Sequence, residues 1–291
     1  MRLQAVLTPT ESKKLIAKAI LLRDEMKKAL SEDIVVIHPS STTVFILEEL
    51  GITRPTSMWI CGLIQPRGLC ASGQILDESR RAVFEPTKYA HSWMLEKGSL
   101  VPKFTLSETL ERMGPSSVYV KGANAIDPEG NVGILFAAKG AGTIGIVMKE
   151  QRKRGFHILI AVGLEKFIPT KIKDCSKAAV MFDISHAHGT PCGVIPLHGT
   201  VINEIQAFKL LCGVEAVPVA AGGIAGAEGC LVFMLLGTSS ELSKAEELLS
   251  QIKGARLPQI YLLDCEVCPR DWCHNSYLYK GKKVRKGDSV E

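Results

Sequence analysis

The sequence predicts an α/β protein in two parts, a parallel-sheet domain followed by a smaller α+β domain, and three observations predict it. A short apolar strand, Asp33 to Ile37, runs directly into a hydroxyl-rich turn and a helix closed by Gly51. A second apolar strand, Val118 to Lys121, ends in the small and polar run Gly122 to Asn131, as strands do at the ligand-facing edge of a parallel sheet. From Gly193 the apolar periodicity reads strand (193 to 197), helix (201 to 212), strand (215 to 220), strand (229 to 236), helix (239 to 253) and strand (258 to 264). That β-α-β-β-α-β order is ferredoxin-like.

Composition bounds the answer further. A chain of 291 residues buries most of its apolar surface and is long enough for two domains. Hydrophobic residues make up 46% and charged residues 22%, the balance of a soluble globular protein. No stretch reaches the roughly 18 apolar residues of a membrane span, and no signal-peptide pattern follows Met1-Arg2, so we expect a cytoplasmic protein with no membrane partner. Nine cysteines, an odd number, are then expected as reduced thiols. The net charge of +5 comes in large part from Lys149 to Arg154 and from Lys280 to Lys286. No aromatic residues interleave with that last run, which reads as a solvated tail, so nucleic acid is not an expected partner.

Taken in order, Thr8-Pro9-Thr10-Glu11 is a helix start: Thr8 caps, Pro9 suits the first helical position and Glu11 completes a capping box. Leu15, Ile16, Ala19, Ile20, Leu22, Met26, Ala29 and Leu30 then give one buried stripe on a single helix of about five turns. Ser57 to Ile64 reads as a strand. The irregular section from Gln65 to Pro102 is too long for a plain connection and carries Arg67, Arg80 and Arg81, which would suit an anion. Thr105 to Glu108 is a second capping box, and Gly114-Pro115 stops its helix. Phe156 to Val162 is a further strand, left by Gly163-Leu164-Glu165-Lys166-Phe167.

The turn after the first strand carries Ser40, Ser41, Thr42 and Thr43. One hydroxyl caps a helix. Four of them, pointing the same way as the first unpaired N–H groups of that helix, make a pocket for phosphate or a similar anion. An ordinary capped helix is the plainer alternative.

These pieces, in this order, resemble the ribose-5-phosphate isomerase A group, part of a superfamily that also holds glucosamine-6-phosphate deaminases and CoA transferases. The resemblance covers about residues 8 to 170. Leu7 to Lys14 resembles the group's N-terminal helix start; Ser40 to Ile46 stands where its phosphate loop reads Gly-Thr-Gly-Ser-Thr-Val. Val120 to Asp127 stands where it reads Asp-Gly-Ala-Asp-Glu-Ile-Asp, and Lys139 to Gly142 where it reads Lys-Gly-Gly-Gly. The resemblance implies a Rossmann-like domain of the ribose-5-phosphate isomerase type over residues 1–180, a ferredoxin-like α+β domain over 190–265 and a homo-oligomer, while composition alone marks a cysteine-containing basic tail over 266–291. It also implies a small phosphorylated metabolite held by Ser40, Ser41, Thr42, Thr43, Lys121, Gly122, Asn124, Gly140 and Gly142, with Lys139 and Asp127 as the catalytic candidates. The departures are specific. Pro39 and Ser41 replace glycines of the phosphate loop; Lys121, Asn124 and Ala125 replace acidic residues; Met148 stands at the position of the general base, and a methionine moves no proton.

Two clusters lie outside the resemblance. His186, His188, Cys192 and His198 fall within thirteen residues between the halves, an interdomain loop with acid–base or metal-binding side chains. Cys265, Cys268, Cys273 and His274 have a spacing that suits structural zinc, the one candidate cofactor, or a redox pair. Ala220 to Gly229 resembles a phosphate loop in composition alone and reads as a hairpin between two strands. The expected function is therefore that of a diverged isomerase-like protein binding a phosphorylated ligand. The alternatives are a non-catalytic sensor or regulatory protein of the same fold, and a zinc or redox protein using the Cys and His clusters.

Overall fold

Four parallel strands, each an almost unbroken apolar run, form the middle of the molecule because both of their faces are covered. The computed structural model describes residues 1–52, 57–60, 62–65, 68–70, 73–76, 92–101, 104–257 and 273–274. Strand β1 (Arg2–Leu7) leads into α1 (Pro9–Leu21), where the Thr8 hydroxyl accepts from Glu11 N and the Glu11 carboxylate accepts from Thr8 N, the reciprocal box the sequence predicts. The single long helix does not form. It ends at Leu22, Arg23 is extended, and α2 (Asp24–Glu32) starts afresh with Asp24 and Glu25 in its first turn, where the helix dipole favours acidic groups. The break re-aims the chain so that Met26 and Ala29 are buried.

Next come β2 (Ile34–Ile37) and the short α3 (Val44–Glu49). The stretch from Ser57 stands outside the main sheet: β3 (Ser57–Ile60) and β4 (Leu63–Gln65) pair with β6 (Gly73–Leu76) and β5 (Gly68–Cys70) as two-stranded ribbons. The chain returns as the hairpin β7 (Trp93–Glu96) and β8 (Ser99–Val101), adding an antiparallel edge that apolar periodicity alone leaves undetected. Then α4 (Leu106–Arg112), β9 (Val118–Gly122), β10 (Ala125–Ile126), β11 (Val132–Phe136), α5 (Gly142–Arg154), β12 (His157–Ala161) and α6 (Ile172–Ala178) follow. The last stretch holds β13 (Gly193–Leu197), β14 (Thr200–Ile202), α7 (Glu204–Cys212), β15 (Glu215–Gly222), β16 (Cys230–Leu236) and α8 (Ser239–Ile252).

The main sheet is mixed and six-stranded, in the order β14-β12-β9-β2-β7-β8, with β14, β12, β9 and β2 parallel. Alternate residues of its strands go to opposite faces. Val35, Ile37, Val118, Val120, Leu159 and Ala161 join the core under α1, α3 and α7, while Val36, Tyr119, Ile158 and Ile160 join the core against α4 and α5. The fold is thus mixed α/β.

The strand expected to open the second half, Gly193–Leu197, pairs instead with β11. The sheet of β15 and β16 takes β1 as its third strand, Arg2 opposite Leu236 and Leu7 opposite Leu231. Its inner face, with Ala5, Leu7, Leu231, Phe233 and Leu235, belongs to the same buried cluster as α1 and the main sheet. The expected strand at 258 to 264 and the tail from 266, apart from Cys273 and His274, lie outside the described residues. No helix among the described residues is long and apolar enough to cross a membrane.

Candidate functional site

The carboxyl ends of the four parallel strands face one way, and each is followed by a turn with polar side chains. After β2 the hydroxyl run is spent largely on the turn itself. Ser40 Oγ accepts from the N–H groups of Thr42 and Thr43 at 3.3 and 3.1 Å and lies 3.0 Å from Thr43 Oγ1, which donates to the His38 carbonyl at 2.6 Å. Thr42 and Thr43 are buried, and Thr42 Oγ1 has no hydrogen-bond partner there. Ser40 and Ser41 reach the surface in part. The helix begins at Val44, after the whole hydroxyl run, with no side-chain cap at Thr43. At Gly122, the end of β9, a Cβ would stand 3.0 Å from Ser40 Oγ, so the absence of a side chain there lets the two turns lie together.

Beyond β9 the predicted residues hold the loop. Lys121 is half-buried. The Asn124 amide is used at both ends, Oδ1 accepting from Leu135 N at 3.0 Å and Nδ2 donating to the Gly62 carbonyl at 3.1 Å. Asp127 is 3% exposed and accepts from Glu129 N, Asn131 N, Asn131 Nδ2 and Ile172 N, between 2.9 and 3.3 Å. Burial alone would raise its carboxyl, but those donors, Ile172 foremost, hold it below the usual aspartate value. It stays ionised and ties the 127–131 turn to the start of α6. Lys139 and Gly140 are exposed. Gly140 lines an apolar groove of about 400 Å³ with Phe136, Val180 and Phe182, and none of the strand-end polar residues lines it. Gly142 starts α5, and Met148 packs against the core of that face.

The same strand ends gather a charged group that the sequence reading passed over. Lys13, in the first turns of α1, pairs with Glu165 at 2.8 Å; both side chains are about nine-tenths buried. Lys166 donates to the Ala123 carbonyl at 2.9 Å. Glu204, the first residue of α7, is fully buried and accepts from Leu164 N at 2.9 Å. Glu165 and Glu204 crowd the Gly163 α-carbon: a Cβ there would meet Glu165 Oε2 at 1.8 Å and Glu204 Oε1 at 3.1 Å. Glu165 Oε2 is buried without a hydrogen-bond partner. Burial, and secondly the charge of Glu165, push the Glu204 carboxyl up to about 7, against the opposing pull of the Leu164 N–H and the neighbouring Ser12 hydroxyl. Burial likewise pushes the Lys166 ammonium below the ordinary lysine value; Glu165 opposes the shift and Lys13 adds to it. A carboxyl that titrates near neutrality beside a second carboxylate is able to give or take a proton at physiological pH, and Lys13 and Lys166 bring positive charge to the same strand ends. The signal was present in the sequence: charged residues stand within a few positions of the ends of two strands that are neighbours in the sheet, Glu165-Lys166 after β12 and Glu204 after β14.

Of the other candidates, Cys273 and His274 lie beside the 188–192 segment, His274 N donating to the Gly189 carbonyl at 3.0 Å. His186, His188 and His198 are exposed, and Cys192 is buried. Cys273 and His274 are described, whereas Cys265, Cys268, Arg67, Arg80 and Arg81 lie outside the described residues. The 222–229 segment joins β15 to β16 as a hairpin, as expected. Comparison with known protein families, with curated proteins and with solved structures finds no match to this chain.

Proposed function

We propose that the chain is a diverged relative of the sugar-phosphate isomerases that binds a small phosphorylated metabolite above the carboxyl ends of β2, β9, β12 and β14, without aldose–ketose turnover. The observation that carries the reading is the convergence of Lys13, Lys166, Glu165 and Glu204 at that edge, the place where parallel sheets take their ligands. Two features argue against isomerisation by the expected set. Asp127 has its oxygens committed to four donor groups, and Met148 stands where a base is needed.

Titration calorimetry with ribose 5-phosphate, glucosamine 6-phosphate and inorganic phosphate tests this. Binding of at least one ester is expected, weakened in Lys166→Ala by roughly ten- to a hundredfold, the worth of one charge-assisted hydrogen bond. No heat from any of the three, or equal affinity in Lys166→Ala, would remove the reading.

A second reading, that of an acid–base enzyme acting on the same ligand, is favoured by Glu204, whose carboxyl sits at about 7. Under it, turnover of a bound ester follows the ionisation of Glu204 and disappears in Glu204→Gln while binding persists; loss of binding and turnover together would count against it.

A further inference from the structure

The sheet of β1, β16 and β15 buries one face only. Its inner residues, among them Leu7, Ala216, Phe233 and Leu235, belong to the cluster shared with α1, α7 and α8. Because side chains alternate along a strand, the register fixes what the outer face shows. Arg2 and Glu215 flank Leu236 in the first row, and Gln4 and Val217 flank Met234 in the second. In the third, Val6 and Ala220 flank Val232. The central strand is therefore apolar along its whole outer side, and Val6 and Val217 beside it are 46% and 38% exposed. None of these outer apolar residues joins or packs against either buried cluster of the described residues. The charges occupy the two corners of one end. Arg2 and Glu215 stand on either side of Leu236, about 10 Å apart across the sheet. Both are exposed, and neither enters an ion pair among the described residues.

We propose that this outer face is the contact between two copies of the chain, related by a two-fold axis that runs along β16. Such an axis lays β1 of one copy over β15 of the other and keeps the three rows in line. Arg2 then meets Glu215 of the partner subunit, and the symmetry makes that pair twice. Leu236, Met234 and Val232 meet their own equivalents on the axis, and Val6 meets the small Ala220 of the partner subunit. An axis across the strands would instead set β1 on β1 and leave both charges facing apolar side chains. The edge of β15 is not the contact. Pro218 has no N–H to give a further strand, and the register shifts between Pro218 and Ala220, two devices that keep a sheet edge from extending. Three strands wide and about six residues long, the face covers roughly 300 Å² in plan. That is less than the roughly 800 Å² per partner of a tight complex, so the dimer dissociates on dilution.

Sedimentation velocity of the whole chain, from about 1 to 200 μM, reads the self-association directly. Arg2→Glu and Glu215→Arg each set like charges face to face at two places, and each should weaken dimerisation roughly tenfold or more. An equimolar mixture of the two variants should restore it, because every corner contact between unlike copies then joins opposite charges. A chain that stays monomeric across the range overturns the proposal, as do variants that associate as well as the unaltered chain or a mixture that associates no better than either variant alone. Should a charge reversal cost the chain its circular dichroism, Arg2→Gln and Glu215→Gln answer the same question: each should weaken dimerisation several-fold, and no weakening in either overturns the contact.

Discussion

Asp127 and Glu204 are both buried carboxyls, and their surroundings drive them in opposite directions. Asp127 meets four donor groups and is held below the usual aspartate value. A depressed folded-state value contributes stability above the unfolded value, lost as pH falls through the folded one, so Asp127 supports the fold above pH ~4 and ceases to below it. Asp127→Ala should cost about 2–4 kcal/mol in urea unfolding at neutral pH, because several buried donors lose their acceptor at once. Glu204 behaves in reverse. Its folded value of about 7 lies above the ordinary 4.5, so it favours the fold at low pH and weakens it as pH rises from the unfolded to the folded value. The loss across that window is about 3 kcal/mol. Glu204→Gln should therefore flatten the fall in melting temperature between pH 5 and 8; an unchanged slope would show that Glu204 is not the titrating group.

At the scale of elements, the parts written in adjacent residues were legible and the parts that depend on distant partners were not. The capping boxes at Thr8 and Thr105 follow from four residues each and form as read. The break at Arg23 has no glycine or proline to announce it; it arises because the chain must turn to bury Met26 and Ala29 against the sheet. Gly193–Leu197 reads correctly as a strand, but an apolar alternation says nothing of its partner, and β11 takes it. The candidate site divides in the same way. The strand-end position of Ser40 to Thr43 and of Gly122 to Asp127 was visible, whereas the inward hydrogen bond of Thr43 and the saturation of Asp127 depend on geometry outside any motif. Glu11 offers a direct test of local against distant ties. It completes the Thr8 box and also accepts from Gly254 N and Lys253 Nζ, both at 3.0 Å, beyond the end of α8. Thr8→Ala should cost about 1 kcal/mol and Glu11→Ala about twice that or more, measured by urea midpoints.

Over the whole molecule, β1 stitches the two ends of the described chain together. It supplies one strand of the sheet that β15 and β16 complete, and the cluster containing Ala5, Leu7, Phe233 and Leu235 runs on into the face of the main sheet under α1. A fragment beginning at residue 190 lacks that strand and the α1 layer, and leaves Leu231, Phe233 and Leu235 without their cover. It should show no cooperative thermal transition, while the whole chain unfolds in a single step that covers both sheets. Two separate transitions in calorimetry of the whole chain would contradict this.

The pairing of Arg2 with Leu236 also sets an order of events during synthesis. The ribosome makes β1 long before β16, so β1 must wait as an unpaired edge until its neighbour has emerged, and the cell has to shield its apolar residues meanwhile. Refolding from denaturant, where both strands are present from the outset, removes that wait but keeps the cost of closing the long loop from Leu7 to Leu231, so the β1–β16 pairing should form more slowly than the main sheet.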